Sequence, residues 1–211
     1  MTIIHQDEHI VVVDKPSGVL SVPGRGAEKI DSVAHRISTT IPGCIEQPAV
    51  HRLDMDTSGL LVLALTKEAH RHLSKQFQDR HTEKEYFALL DGELPEDLGE
   101  SGTITLPFRL DIDNRPYQIH DEVHGKMGTT HWRRISVEDG ITRIHFQPVT
   151  GRTHQLRVHS AHEKGLGLPI LDDPLYGNGA DPGKMKLHAA KLSFDHPVTG
   201  EQLTFTSPTP F

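Results

Sequence analysis

The run His51-Arg52-Leu53-Asp54-Met55-Asp56-Thr57-Ser58-Gly59 gathers reactive side chains into one short stretch, immediately ahead of the apolar Leu60-Leu61-Val62-Leu63-Ala64-Leu65. A polar loop that opens into a buried strand can hold a charged pair rigidly. Asp54 has the chemistry of a nucleophile or a general base. Arg52 suits a contact to phosphate or to a nucleic-acid base. The same residues also suit a plain turn, in which Asp and Thr side chains satisfy backbone groups and Arg52 is solvated. Spacing alone leaves both open. Asp56 reads as structural, capping the turn through Thr57 or Ser58.

The second dense cluster is Gly151-Arg152-Thr153-His154-Gln155-Leu156-Arg157-Val158-His159. An arginine such as Arg157 reaching a buried carboxylate would hold it ionised and orient it through a bidentate pair. The alternative is an amphipathic helix with a solvated polar face. His154, His159 and His162 do not add up to a metal site, because no HExxH and no completing Cys or Asp pattern accompanies them. Gly24-Arg25-Gly26 lacks the further glycine and lysine of a phosphate loop. Tyr86, in Lys84-Glu85-Tyr86, could stack on a base and use its hydroxyl as a polar handle, or could be a core tyrosine at a strand start.

These groups must be positioned by elements that the sequence also marks. Ile3–His5 and Ile10–Val13 read as strands around the turn Gln6-Asp7-Glu8. Ser32–Thr40 reads as a helix with Asp31 as its N-cap, stopped by Pro42-Gly43. Thr66 can cap a helix over Lys67–Asp79, whose apolar Ala69, Leu73 and Phe77 recur every fourth residue. Glu85–Leu90 reads as a strand, and Pro95–Gly102 as an acidic, turn-rich stretch. Gly128–Val137 and Ile141–Gln147 form a hairpin around Asp139-Gly140. A helix follows over His154–Lys164, then a loop at Asn178–Gly183, and closing strands at Leu187–Phe194 and Gln202–Thr206. Strands with interspersed helices and no regular βαβ alternation predict an α+β fold with a mixed, mostly antiparallel sheet flanked by helices and loops. The length of 211 residues suits one catalytic domain over 1–211.

Composition narrows the setting. No stretch approaches the ~18 apolar residues of a membrane span, and the N-terminus lacks the basic start and apolar core of a signal peptide. Cys44 is the single cysteine, which precludes an intramolecular disulfide and suits a reducing cytoplasm. The net charge of −7 is unusual for a protein that meets nucleic acid. Arg133, Arg134, Arg143, Arg152, Arg157 and Lys164 nevertheless face only Glu138, Asp139 and Glu163 over that stretch, which allows a local basic groove.

Taken together, the motifs resemble those of the RluA-type RNA pseudouridine synthases. The match rests on His51-Arg52-Leu53-Asp54 with Thr57-Ser58-Gly59, Lys84 with Tyr86, Gly151-Arg152 with His154-Gln155-Leu156-Arg157, and Leu187-His188-Ala189, in the family's order and with similar separations. Asp14-Lys15-Pro16-Ser17-Gly18 resembles the family's N-terminal signature. The resemblance runs from about Ile3 to the C-terminus.

The resemblance implies the pseudouridine synthase fold and isomerisation of uridine to pseudouridine in structured RNA, with no cofactor or metal. It implies that Asp54 is the catalytic aspartate, Tyr86 the residue stacked on the target base and Arg157 the salt-bridge partner of Asp54. Arg52 would enter the RNA as the target nucleotide is flipped out. Arg152, His154 and Leu187 are expected at the RNA, Leu187 with Tyr86 lining a dry pocket for the detached uracil. An N-terminal S4-like module is not expected, since Ile3 already begins the catalytic domain. Ser21-Val22-Pro23-Gly24-Arg25, Met55 and Asp113-Asn114-Arg115-Pro116 resemble the dual-specificity branch, which acts on a 23S rRNA loop and the tRNA anticodon loop. The sequence departs from that branch at Asp111-Ile112-Asp113, where Trp-Pro is expected before Asn-Arg-Pro. The expected state is a cytoplasmic monomer without an obligate protein partner. The rival readings are an inactive RNA-binding or chaperone relative and a hydrolase of N-glycosidic bonds.

Overall fold

The computed structural model describes residues 1–211. Its strands, in chain order, are β1 (Thr2–Gln6), β2 (Ile10–Lys15), β3 (Ser58–Ala64), β4 (Glu83–Leu90), β5 (Ser101–Leu110), β6 (Gln118–His120), β7 (Lys126–Glu138), β8 (Ile141–Pro148), β9 (Leu187–Asp195) and β10 (Gln202–Thr206). The helices are α1 (Val33–Thr40), α2 (Lys67–Asp79) and α3 (Gln155–Ala161). No helix is long and apolar enough to cross a membrane. The chain divides into two compact units, Met1–Lys84 with His188–Pro210, and Glu85–Leu187 with Phe211.

In the first unit β1, β2 and β3 form antiparallel neighbours, β3 runs parallel to β9, and β10 closes antiparallel on β9. All of β3 is buried, which explains why Leu60 to Ala64 reads as an unbroken apolar run rather than an alternating one. Its core joins Ile10, Val12, Leu60, Val62 and Phe194 to Ala69 and Leu73 of α2. Thr66 caps α2 as expected, its side chain accepting from the Ala69 amide at 3.2 Å. Asp31 does not cap α1. That task falls to Ser32, which accepts from His35 N at 3.2 Å. Helical geometry starts at Val33, so Asp31 lies one residue too early and instead forks Arg36 through Nε and Nη2 at 2.7 and 2.6 Å.

The second unit is an antiparallel array in which β4 pairs β8, β8 pairs β7, β7 pairs β5 and β5 pairs β6. Asp139 and Gly140 turn β7 into β8 with positive φ at both residues, as a primed hairpin turn requires. β5 and β6 fall where no strand was expected: β5 contains Gly102 and Pro107, which dilute the pattern, although Ile104, Leu106 and Phe108 alternate into the core. α3 is shorter than the predicted His154–Lys164. Its amides stop at His162, whose backbone is extended, and Gly165 and Gly167 fold back onto the His162 carbonyl. A side chain at Gly165 would sit 2.0 Å from the His159 carbonyl oxygen, so only glycine permits that close stop. Asn178–Gly183 carries neither helix nor strand.

Candidate active site

In the first unit, the loop that carries Asp54 is fixed through its neighbours. Ser21 brackets Leu53, donating to its carbonyl at 2.6 Å and accepting from its amide at 3.0 Å. The Met55 carbonyl accepts from the Gly18 amide at 2.9 Å, and the Asp56 carbonyl from Ser17 Oγ at 2.5 Å. Thr57 N closes the turn on the Asp54 carbonyl at 3.1 Å. His51 anchors the entry: its ring stacks on Phe77 with centroids 4.2 Å apart, and its Nε2 accepts from Val62 N at 3.2 Å. Burial, aided by the Lys84 charge, pushes the His51 pKa down to about 3, so this anchor stays neutral.

Lys15 is the buried centre of this arrangement, with no exposed surface. Its Nζ donates to the carbonyls of Val19, Met55 and Pro16 at 2.8, 2.9 and 3.1 Å. Burial lowers its pKa to about 8, against the opposing pull of Asp56 and Asp54. A lysine that spends all three donors on carbonyls around one loop is a clamp. Asp56 is buried, in keeping with a structural role, whereas Asp54 is only half-buried. Arg52 is exposed, and its guanidinium makes no hydrogen bond or ion pair.

The loop leads into Ser58 and Gly59. Gly59 has φ +109°, and a Cβ there would fall 2.3 Å from the Ala189 carbonyl oxygen, so the β3 and β9 backbones meet at a distance that only glycine allows. A buried polar chain fastens the same point: Ser58 Oγ lies 2.9 Å from His188 Nδ1, His188 Nε2 3.1 Å from Ser207 Oγ, and Ser207 Oγ donates to Asp14 at 2.6 Å.

In the second unit, Tyr86 is half-buried on β4, opposite Phe146, and packs against the cluster that contains Phe146 and Leu187. Leu187 is itself 3% exposed, so it forms a wall of that apolar cluster rather than an open surface. His154 is also buried and adopts a left-handed backbone (φ 57°) just ahead of α3. Its Nδ1 lies 2.8 Å from the Tyr176 hydroxyl. Gln155 ties α3 to β7, donating to the Thr129 carbonyl at 3.0 Å and to Thr130 Oγ1 at 2.9 Å. Arg152 extends outward, steadied by Nε donating to the Met127 carbonyl at 2.7 Å.

Arg157 is 2% exposed and grips Asp173, which is fully buried, through Nε–Oδ2 at 2.8 Å and Nη2–Oδ1 at 2.6 Å. Burial alone would raise the Asp173 pKa, but the guanidinium and the Leu175 and Tyr176 amides outweigh it and hold the carboxyl below its ordinary value. Asp173 gave no signal in the sequence, because it lies in a turn with no periodicity. Lys15 gave none beyond its motif, since a lysine is read as exposed by default. No group of three or more His, Cys, Asp or Glu side chains could hold a metal ion.

Residues 9–162 match the family model described as RNA pseudouridylate synthase. The chain belongs to that family. The curated dual-specificity RNA pseudouridine synthase RluA of Haemophilus ducreyi is 44% identical over 211 residues, covering 98% of this chain and 92% of that protein. The protein of the same description from Escherichia coli is 42% identical over 215 residues, covering 100% and 94%. Among solved structures, human RNA Pseudouridylate Synthase Domain Containing 1 superposes with a TM-score of 0.76 at 28% identity, covering 100% of this chain and 84% of that one. The α+β pseudouridine synthase fold with its mixed, mostly antiparallel pairing is therefore as the sequence implied. The chain is an RNA pseudouridine synthase, an isomerase whose substrate is uridine in RNA.

Proposed function

We propose that this enzyme isomerises uridine in a tRNA anticodon stem-loop, in a 23S rRNA loop, or in both, with Asp54 as the catalytic aspartate. What supports the RNA targets is the dual-specificity description carried by relatives above 40% identity over nearly the whole chain. The observation that carries the role of Asp54 is the clamping of Leu53, Met55, Asp56 and Thr57 around a half-buried carboxylate. Preorganisation of this kind is what a reacting group needs and a solvated turn does not.

The reaction breaks the C1′–N1 bond of uridine, turns the uracil and joins C5 to C1′. The proton leaves C5 and N1 gains one, so substrate and product are isomers and no oxidant or reductant is consumed. The target base must first leave its stack, at a cost of a few kcal/mol. Exposed Arg52 fills the vacated space and contacts phosphate, which offsets part of that cost. Tyr86 stacks on the flipped base above the apolar wall that includes Leu187, and Arg152 contacts the RNA backbone. Arg157 takes part in the chemistry as a buried, fixed cation. Its fork to Asp173 uses Nε and Nη2. His154, buried against Tyr176, supports this group and meets RNA only at its edge. In this reading residues 1–211 act as one catalytic domain, as a cytoplasmic monomer.

The test pairs mapping with mutation. Pseudouridine sites that vanish from total RNA of a strain lacking the gene name the substrate. On that RNA, the Asp54→Asn enzyme should form no pseudouridine. Turnover that persists in this variant sinks the assignment of Asp54, and release of free uracil by the wild type would make the enzyme a hydrolase.

A further inference from the structure

Arg157 is held on more than one side. Its edge meets Asp173 in the buried fork, and its face lies over the Tyr176 ring, with Cζ 5.3 Å from the centroid. Asp173 is held in turn, since its Oδ1 also accepts from the Leu175 and Tyr176 amides at 2.8 and 3.0 Å. Tyr176 is held by its hydroxyl, which accepts from Gln118 N at 2.8 Å and lies 2.8 Å from His154 Nδ1. Fork and ring together leave the guanidinium plane one orientation.

A buried ion pair is poor value as a stabilising device, because desolvation of both charges offsets the attraction. A geometry with this many constraints instead suits a cation whose direction matters. We propose that Asp173 and Tyr176 are positioning residues for the isomerisation: they fix the plane of Arg157, and the Tyr176 hydroxyl ties that plane to the start of β6 at Gln118. This rests on the reading that Arg157 takes part in the chemistry. Neither residue is assigned a contact with the reacting base, so their loss should lower the rate of the chemical step and leave RNA affinity almost unchanged.

Two substitutions separate orientation from folding. Asp173→Asn keeps an oxygen for the Leu175 and Tyr176 amides and for Arg157 Nη2, and removes the charge and the Nε arm of the fork. Tyr176→Leu removes the ring, while Tyr176→Phe keeps the ring and drops the hydroxyl. Single-turnover kinetics on the stem-loop RNA that the wild type modifies should show the maximal rate reduced about a hundredfold in Asp173→Asn and in Tyr176→Leu, the loss expected when a reacting group is misplaced by an ångström. The RNA concentration for half-maximal rate should move less than about threefold, and Tyr176→Phe should recover most of the rate. In an Arg157→Met background, Tyr176→Leu should add no further loss, as for residues that act as one unit.

Thermal melts of the same samples identify any variant that does not fold, and if Asp173→Asn fails that check, Tyr176→Leu decides. Folded variants with wild-type maximal rates would overturn the inference, and so would weakened RNA binding with an unchanged maximal rate. Full activity in Arg157→Met would instead remove the reading on which the inference depends.

Discussion

The Nζ of Lys15 donates to the carbonyl of Met55 at 2.9 Å, across 40 residues of chain. It joins the end of β2 to the Asp54 loop, beside the bonds from Ser17, Gly18 and Ser21 to the same stretch. In Lys15→Met the Pro16, Val19 and Met55 carbonyls lose their donor, and the variant should be less stable at pH 7 by about 2 kcal/mol. The folded pKa of about 8 lies below the unfolded 10.5. Between these values the unfolded chain binds more protons, so wild-type stability from this group rises with pH. Urea unfolding at pH 7 and pH 10 should therefore show a wider gap between wild type and variant at the higher pH; a gap that narrows would contradict the buried charge.

The exposed Arg52 guanidinium makes no hydrogen bond or ion pair within the protein, so its removal should be silent for folding and costly for RNA. Arg52→Ala should melt as the wild type does. Its RNA affinity should fall, and the slope of log K against log salt should flatten by roughly 0.7 to 0.9 if one phosphate contact is lost. Anisotropy titrations at several salt concentrations measure both.

His159 is fully buried, and neither ring nitrogen has a hydrogen-bond partner; its ring edge packs on Phe108 at 5.7 Å. Burial lowers its pKa to about 4 from 6.5. The unfolded histidine takes up its proton below pH 6.5 while the folded one stays neutral, so stability is lost as pH falls from about 6.5 toward 4. His159→Leu should match or exceed wild-type stability at pH 7, by up to about 1 kcal/mol, because it removes orphaned polar atoms. Its decline over the acid window should be shallower in unfolding curves taken at pH 7, 5.5 and 4.5.

Gly59→Ala places a methyl group against the Ala189 backbone at a φ that L residues rarely adopt. The expected cost is roughly 3 kcal/mol, seen as a lower urea midpoint. Gly140→Ala makes a useful control: φ is also positive, but no atom lies within 4 Å of the added Cβ, so the loss should be much smaller.

The parts that were legible from sequence share a cause: each is governed by local physics. Thr66 with Ala69 and Leu73 wrote a capped helix, and Asp139-Gly140 wrote a hairpin. The fold class followed from the order of such elements, and the charged loop was conspicuous for its residue types. What stayed hidden depends on partners distant in the chain. Asp173 matters because it meets Arg157 in space, and Lys15 because it meets Met55. β5 was obscured by Gly102 and Pro107, although its pairing with β7 satisfies the strand. The difference between Asp31 and Ser32 as the cap of α1 is a single residue, a margin that only backbone geometry resolves.

The clamping of the Asp54 loop also sets out which of its positions are open to change. Leu53, Asp56 and Thr57 are buried, while Arg52 and Met55 face outward. The hydrogen bonds of Met55 run through its backbone, and its side chain is exposed. A library aimed at a different RNA target therefore has two natural sites, 52 and 55, on either side of the aspartate. Diversity placed there alters what the loop touches and spares the frame that holds it.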